Sequence, residues 1–301
     1  MLLVCVAAAS QAQQGHPIID MHVHAYGKDR DEGRYGSAGP HGLVGSANQR
    51  AHFEETYSQF RKYNIQKAVV TGPPEGLQAW MEWDTEGRII PGLYMNHPSD
   101  YGMSPERFED LVKAGKVQVF GELGPYYSGT SLSDPEWDPY LEICNRYDIP
   151  VGVHTGGGAA GGTYTWAPRA RLVLGDPYLI EDVLVKYPKL RIYMMHAGEQ
   201  WHEHTLRMMD YYHHLYTDIA VLLWVAPNPQ RHVREFLANA KEAGVLNRVM
   251  FGSDQMLWPE ATDLSIEFLN SLDFLTESEL RDIYYNNAAR FLRLETNSAD
   301  N

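Results

Sequence analysis

From residue 17 onward, the hydrophobic pattern of the chain alternates short apolar runs with longer stretches of helical periodicity. Short continuous apolar runs are typical of strands that are buried on both faces. Eight such runs predict strands at Ile18–His24, Ile65–Thr71, Ile89–Met95, Val117–Leu123, Pro150–His154, Arg191–His196, Tyr216–Val221 and Arg248–Ser253.

Helical stretches separate these runs, and several begin with recognisable N-terminal signals. Ser104 followed by Pro105 predicts a helix start, because serine caps free backbone N–H groups and proline suits the first helical position. Thr276 with Glu279 has the spacing of a capping box. The predicted helices are Phe53–Tyr63, Pro105–Ala114, Tyr178–Lys186, Gln230–Glu242 and a last one from Thr276 through the YYNNAARFL segment.

The alternation of strand and helix indicates an α/β fold with a parallel sheet. Eight units in a chain of 301 residues predict a closed (β/α)₈ TIM barrel rather than an open doubly wound sheet. We find no internal repeat or linker within residues 16–296. That range is therefore expected to form a single domain.

The N-terminal residues 1–12 differ from this pattern. Leu2–Ser10 is a short apolar stretch, and the small residues Ser10 and Ala12 predict a cleavage site for an export signal. Residues 1–12 are therefore expected to be a signal peptide, although no lysine or arginine precedes the apolar stretch, a departure that a truncated start would explain. A periplasmic or secreted protein is expected, with the cytoplasm as the alternative.

Net charge and composition limit the kinds of molecule that the protein is expected to bind. The formal net charge is −14, and a surface of this sign disfavours nucleic acid, whose phosphates bind cationic surfaces. The longest apolar run is too short to span a bilayer as a helix, and two cysteines exclude a disulfide framework. The expected partner is a small-molecule substrate, with neither nucleic acid nor membrane, and a homo-oligomer is compatible with the composition.

Ionisable side chains recur where the predicted strands end. His22 and His24 at the end of the first strand point the same way, because strand side chains alternate, and such a pair can bind a metal ion. Burial of several ionisable groups at one face requires a compensating charge, which a divalent cation supplies. The other groups at strand ends are Glu122, His154, His196 and Asp254. Asp20, on the same strand, is expected to hold one imidazole through a hydrogen bond.

Two long connections, after the first and fifth strands, are expected to form the walls of a substrate site, since loops that follow barrel strands surround the catalytic mouth. Aromatic residues in the loops after the fourth, fifth and eighth strands are candidates for lining it, with ordinary loop packing as the alternative. An arginine there could bind a substrate carboxylate or form a structural salt bridge. The candidates are Tyr126, Tyr164, Trp166, Arg169 and Trp258.

The ordered series IDMHVH, GELG, VHTG, HAG, FGSD and NNAARFL resembles the amidohydrolase superfamily, in its amidohydrolase-related branch, from Ile18 to Leu294. The resemblance implies that His22, His24 and Asp254 bind the metal. It implies that His154 and His196 are further ligands or contact the substrate. In that family a carboxylated lysine or a glutamate often occupies the fourth-strand position, and here it is Glu122.

The resemblance implies metal-dependent hydrolysis of an amide, ester or lactone of a small molecule. A bound metal lowers the pKa of water towards 7 and so provides hydroxide for the attack. Asp254 is the expected proton acceptor, and His196 is expected to polarise the attacked bond. The cofactor expected is zinc, with manganese as the alternative, as one or two ions. A decarboxylase of an aromatic or unsaturated acid is the second reading, and a catalytically silent metal-binding protein is the third.

Overall fold

A computed structural model of the chain describes residues 15–28 and 32–294. Eight parallel strands form one sheet, and each strand pairs with its neighbours in sequence order from first to last. The strands are β1 Ile18–His24, β2 Ile65–Gly72, β3 Ile89–Met95, β4 Val119–Leu123, β5 Val151–His154, β6 Ile192–Met195, β7 Tyr216–Asp218 and β8 Val249–Met250. The predicted TIM barrel is confirmed, whereas the predicted signal peptide at residues 1–12 lies outside the described residues.

Helices alternate with the strands and cover the outside of the sheet. They are α1 Gln49–Lys62, α2 Pro74–Trp83, α3 Pro105–Lys113, α4 Pro125–Ser128, α5 Asp138–Tyr147, α6 Glu181–Lys186, α7 His202–Tyr211, α8 Asn228–Glu242, α9 Ala261–Asn270, α10 Glu277–Arg281 and α11 Asn287–Leu292. A π-helical turn, Asp282–Asn286, joins α10 to α11. The Ser104 cap and the capping box of Thr276 with Glu279 are both present.

Several strands are shorter than the apolar runs that predicted them. The differences are concentrated at the carboxyl ends of β6, β7 and β8. There the backbone adopts positive φ soon after the last paired residue, at His196 (63°), Val221 (58°) and Asp254 (45°). Residues in the left-handed region cannot continue a strand. The apolar character therefore continues into the loops after hydrogen bonding in the sheet has ended.

The barrel is closed between β1 and the segment that follows β8. The Met21 N–H donates to the Phe251 carbonyl at 3.0 Å, and the Asp254 N–H donates to the His22 carbonyl at 2.8 Å. Asp20 Oδ1 accepts from the backbone N–H groups of both His22 (3.0 Å) and Ser253 (2.9 Å). These bonds place Asp254 beside the end of β1.

Apolar residues pack on both faces of the sheet. Between the strands and the helices lies the larger core, where the ring centroids of Phe108 and Phe120 are 4.5 Å apart. Inside the barrel, Ile19, Met21 and Tyr193 form a second cluster with residues of α11, including Phe291. Apolar side chains thus fill this end of the barrel. The polar groups at the strand ends lie at the opposite, carboxyl-terminal end. Among the described residues, no helix combines the length and the apolar character that crossing a membrane requires.

Candidate active site

Each strand, or the turn that follows it, brings a polar side chain to the carboxyl end of the barrel. The two histidines of β1 and the strand-end groups predicted from the sequence lie together there, and they are buried. They are His22, His24, Glu122, His154, His196 and Asp254. Thr71 of β2, Tyr94 of β3 and Asp218 of β7 complete the ring. The predicted ligand candidates therefore converge on one site.

One half of the cluster contains the two histidines of β1. His22 Nε2 lies 3.4 Å from Glu122 Oε2 and 3.8 Å from Asp254 Oδ1. His24 Nε2 lies 3.4 Å from the same glutamate oxygen and 3.0 Å from Asp254 Oδ1. Two imidazole nitrogens and two carboxylate oxygens thus surround one point.

The other half of the cluster lies around the second carboxylate oxygen of Glu122. His154 Nδ1 lies 2.7 Å from Glu122 Oε1, and His196 Nε2 lies 3.5 Å from that oxygen. The two imidazole nitrogens are 3.1 Å apart. Glu122 therefore lies between two pairs of histidines, with one oxygen directed towards each pair.

The outer nitrogen of three of these imidazoles has a partner that can only accept. His22 Nδ1 donates to Asp218 Oδ2 at 3.3 Å, His196 Nδ1 donates to the Ala220 carbonyl at 3.1 Å, and His154 Nε2 donates to the Gly157 carbonyl at 3.1 Å. A neutral imidazole carries a single proton, so with that proton on the outer nitrogen each inner nitrogen would present a lone pair to a bound cation. The fourth imidazole, His24, contacts the Thr71 hydroxyl through Nδ1.

Lone pairs and carboxylate oxygens that face one another in a buried site require a positive charge between them. His22 Nε2 and Asp254 Oδ1 are buried and have no hydrogen-bond partner. Two groups have ligand atoms close enough to share an ion, His22 with Glu122 and His196, and His22 with His24 and Asp254. Imidazole nitrogens and carboxylate oxygens are the ligand types of zinc and related divalent ions. The residues are therefore able to bind a divalent metal.

The carboxylates make the cluster attractive to positive charge, whether that of a proton or of a cation. Burial alone would lower the pKa of His22, but the surrounding carboxylates, Asp254 first among them, raise it well above its usual value. Burial opposes ionisation of Glu122, yet hydrogen bonds from the histidines around it hold its pKa well below the usual range. Burial likewise opposes ionisation of Asp254, but the neighbouring histidines, His22 first among them, lower its pKa. Both carboxyl groups are thus ionised at neutral pH.

Irregular backbone brings these side chains to one place. The register of β1 shifts between Asp20 and Val23, so His22 and His24 reach the barrel mouth although Ile19 and Met21 line the apolar interior below. Gly252 allows β1 to approach closely, because a Cβ there would lie 3.0 Å from His22 Cβ.

Tyrosines surround the histidines. The ring of Tyr94 lies edge-on to His24 at 6.0 Å, and the ring of Tyr127 lies 4.8 Å from that of His154. Burial and the charge of Glu122 raise the pKa of both phenols well above 10, so both stay protonated at neutral pH. Each can therefore donate a hydrogen bond.

The residues predicted to contact substrate occupy three environments. Tyr126 is 5% exposed and stacks on His154 at 5.6 Å, beside the cluster. Trp166 is 56% exposed and lies 4.9 Å from Tyr127, whereas Tyr164 is 91% exposed. Arg169 is exposed in the same loop. Of these, Tyr126 and Trp166 are connected to the histidine cluster through ring contacts.

Trp258 lies against the long loop after β1. Its Nε1 donates to the Ser37 carbonyl at 3.1 Å, and its ring occupies the space beside Gly39. This indole thus packs the loop after β8 against the loop after β1.

The carboxylate that orients His22 was not identified from the sequence. Asp20, which the sequence suggested for this role, instead accepts backbone hydrogen bonds where the barrel closes. Asp218 is the partner, and its other oxygen accepts from the His196 N–H at 2.8 Å. The predicted strand extended to Val221, so Asp218 lay inside it, whereas the observed strand ends at Asp218. Its distance of 196 positions from His22 concealed the pairing.

Comparison with known proteins supports this assignment of fold and family. No protein of curated function matches the sequence. An uncharacterized TIM-barrel protein from Bordetella bronchiseptica is similar in structure, with a TM-score of 0.67, 17% identity, and coverage of 92% of this chain and 98% of that one.

Two further structures of known or assigned activity are similar. A probable 2-pyrone-4,6-dicarboxylic acid hydrolase from Acinetobacter baumannii has a TM-score of 0.62 and 14% identity, with coverage of 92% and 99%. A 5-carboxyvanillate decarboxylase from Novosphingobium aromaticivorans, complexed with manganese, has a TM-score of 0.63 and 13% identity, with coverage of 94% and 97%. The model of the amidohydrolase family matches residues 19–294. This chain therefore belongs to the amidohydrolase family and is an enzyme of that superfamily.

Proposed function

We propose that the protein is a metal-dependent hydrolase that cleaves an amide, ester or lactone bond of a small molecule. The observation that carries the proposal is the convergence of buried imidazole nitrogens and two ionised carboxylates on one site. Two of those atoms, His22 Nε2 and Asp254 Oδ1, have no other partner. Such a site is costly to bury without a cation and serves no purpose in packing.

Zinc is the metal we propose, because four of the six groups are imidazoles and zinc favours nitrogen ligands. His22, His24, Glu122 and Asp254 would hold it in one half of the cluster. When bound, the metal supplies Lewis acidity and lowers the pKa of water. Manganese is the alternative, since two carboxylates contribute and a structural neighbour contains it.

Asp254 is the proposed proton acceptor. Its Oδ1 is buried, faces the cluster, and accepts no hydrogen bond. The pKa of this carboxyl group is lowered, so Oδ1 is available at neutral pH to take a proton from water and transfer it to the leaving group. His24 Nε2, at 3.0 Å, fixes the position of that oxygen.

The second half of the cluster would orient the substrate or hold a second ion. Glu122 directs Oε1 towards His154 and His196, and Oε2 towards the β1 histidines. This division supports a glutamate that bridges two ions. With one ion, a protonated His196 would instead donate from Nε2 to the substrate oxygen and polarise it, and the phenols of Tyr94 and Tyr127 could donate to the same oxygen.

Decarboxylation of an aromatic acid is the second candidate. The ring of tyrosines around His24 and His154 is suited to a planar substrate. Two decarboxylases, of 5-carboxyvanillate and of 2,6-dihydroxybenzoate, share the fold.

The test is a substrate panel with isotope-labelled water. Protein loaded with zinc, and separately with manganese, is incubated in ¹⁸O-water with lactones, esters, amides and aromatic carboxylic acids. We expect a hydrolytic product whose new carboxylate contains ¹⁸O. Release of carbon dioxide without ¹⁸O in the product would decide for the decarboxylase. Failure to bind either metal would overturn the metal-dependent assignment itself.

A further inference from the structure

The loops after β5 and β6 meet at Glu199, a residue with an unusual backbone. Four consecutive residues, His196 to Glu199, have positive φ, and Glu199 combines φ 46° with ψ −109°. This combination lies outside the regions that residues with a side chain normally adopt. Such strain persists only where the surrounding structure maintains it, and it is concentrated at functional sites.

The strained position allows the Glu199 carboxylate to reach the loop after β5. The Gly157 N–H donates to Glu199 Oε2 at 3.0 Å. The glycines of the TGGG segment make room for this contact. A Cβ on Gly156 would lie 2.7 Å from Glu199 Cβ, and one on Gly157 would lie 3.2 Å from Glu199 Oε2.

Gly157 also contacts the ring of His154 and fixes its orientation. Its carbonyl accepts from His154 Nε2 at 3.1 Å. On the opposite side of the ring, Nδ1 lies 2.7 Å from Glu122 Oε1. Glu199, Gly157 and His154 thus form a continuous chain of contacts that ends in the cluster.

We propose that Glu199 is a positioning residue that acts through the backbone of Gly157 to hold the His154 ring with Nδ1 directed at the cluster. The loop itself does not depend on this carboxylate. The Gly156 N–H donates to the Gly175 carbonyl at 2.7 Å, and the Gly198 N–H donates to Thr155 Oγ1 at 3.1 Å. The contribution particular to Glu199 is the orientation of Gly157.

The effect on metal binding rests on the proposed function, whereas the state of His154 does not. The first measurement is therefore ¹H–¹⁵N NMR of the His154 ring in metal-free protein, with His154→Gln used to assign the signal. We expect a His154 Nε2–H signal that exchanges slowly with water in the native protein. It should be lost in Glu199→Ala and retained in Glu199→Gln, whose amide oxygen can still accept from Gly157.

The second measurement is zinc affinity by calorimetry. Loss of a group that orients a metal ligand typically reduces affinity about 10–100-fold. We expect a loss in this range for Glu199→Ala and near-native affinity for Glu199→Gln. The control is Glu203→Gln, which removes a negative charge from an exposed position of α7 nearby.

Glu199→Gly separates positioning from stability. Glycine tolerates positive φ, so this variant removes the strain together with the carboxylate. We expect a melting temperature above that of Glu199→Ala, with the same loss of the His154 signal. Retention of that signal in Glu199→Ala would overturn the proposal, even if the protein binds zinc. Loss of the signal with no zinc binding by any form would leave the positioning role intact and refute the metal site.

Discussion

The orientation of three histidine rings in this site is set by the group that accepts a hydrogen bond from the outer ring nitrogen. Asp218, Ala220 and Gly157 each accept from an imidazole, and the opposite ring nitrogen is thereby directed at the cluster. Two of these three partners are backbone carbonyls, so side-chain chemistry alone does not reveal them. Asp218 contributes twice, because its second oxygen accepts from the His196 backbone N–H.

Substitution of Asp254 tests the proposed chemistry directly. Asp254→Asn keeps the size of the side chain and one oxygen, so part of the metal should remain bound. It removes the proton acceptor, and we expect turnover to fall about 10²–10⁴-fold, the usual contribution of a general acid–base group. The measurement is kcat and metal content of the same preparation.

The matched control is Asp273→Asn, at an exposed position outside the cluster. It should have native turnover and native metal content. Near-native turnover of Asp254→Asn with full metal content would contradict the role of this carboxylate.

Substitution of Glu122 tests whether the proposed site holds one ion or two. If it bridges two, Glu122→Gln should reduce the bound metal from about two ions per chain to about one, because a neutral amide is a poor bridge between cations. Elemental analysis of the purified protein measures this directly, with exposed Glu142→Gln as the control. A native protein that holds one ion would exclude the bridging version and strengthen the decarboxylase reading.

At the scale of secondary structure, the ends of the strands and helices place the residues of the site. The ligand candidates lie at or just after the carboxyl ends of the strands, and the loops that follow turn sharply through positive φ at His196 and Asp254. Helix starts were predictable where a side chain caps the backbone, as at Ser104 and Thr276. The capping box of α10 is connected to α8, since Lys241 Nζ donates to Glu279 Oε2 at 2.8 Å.

The contribution of this cap can be measured. Thr276→Ala removes the hydroxyl that accepts from the Glu279 N–H, and we expect the free energy of unfolding to fall by about 1 kcal/mol. Thr276→Ser keeps a hydroxyl and should retain most of the stability. Urea denaturation of both variants provides the comparison. An unchanged midpoint for Thr276→Ala would show that the cap does not contribute to global stability.

The whole molecule is a barrel whose two ends differ in chemistry. Apolar side chains fill one end around Met21, Tyr193 and Phe291, while ionisable groups are concentrated at the other. Carboxylates and lone pairs gathered at the second end should make the metal-free fold less stable than the loaded one.

Metal should accordingly stabilise the fold. A ligand that binds only the native state at a free concentration of 100 times its Kd adds about 2.7 kcal/mol to the free energy of unfolding. We therefore expect zinc to raise the melting temperature of metal-free protein. The double variant His22→Ala with His24→Ala should lack this response, because it removes two ligands. An equal response from both proteins would place the bound metal elsewhere.

The sequence by itself determined the fold and the members of the cluster. Eight apolar runs alternating with helical periodicity are sufficient for a barrel, because the chain repeats one local unit. His22, His24, Glu122, His154 and His196 were identifiable because each lies at the end of a predicted strand. In a parallel barrel all such ends meet at one face, so position along the chain predicts proximity in space.

Only the tertiary structure decided how these residues are oriented. Asp218 rather than Asp20 holds His22, because the register of β1 shifts locally and the two barrel edges meet at Ser253. Glu199 reaches Gly157 across 42 positions through a backbone conformation that no pattern in the sequence indicates. Hydrogen bonds between distant segments depend on distances of a few tenths of an ångström, which are set by packing of the whole barrel rather than by local periodicity.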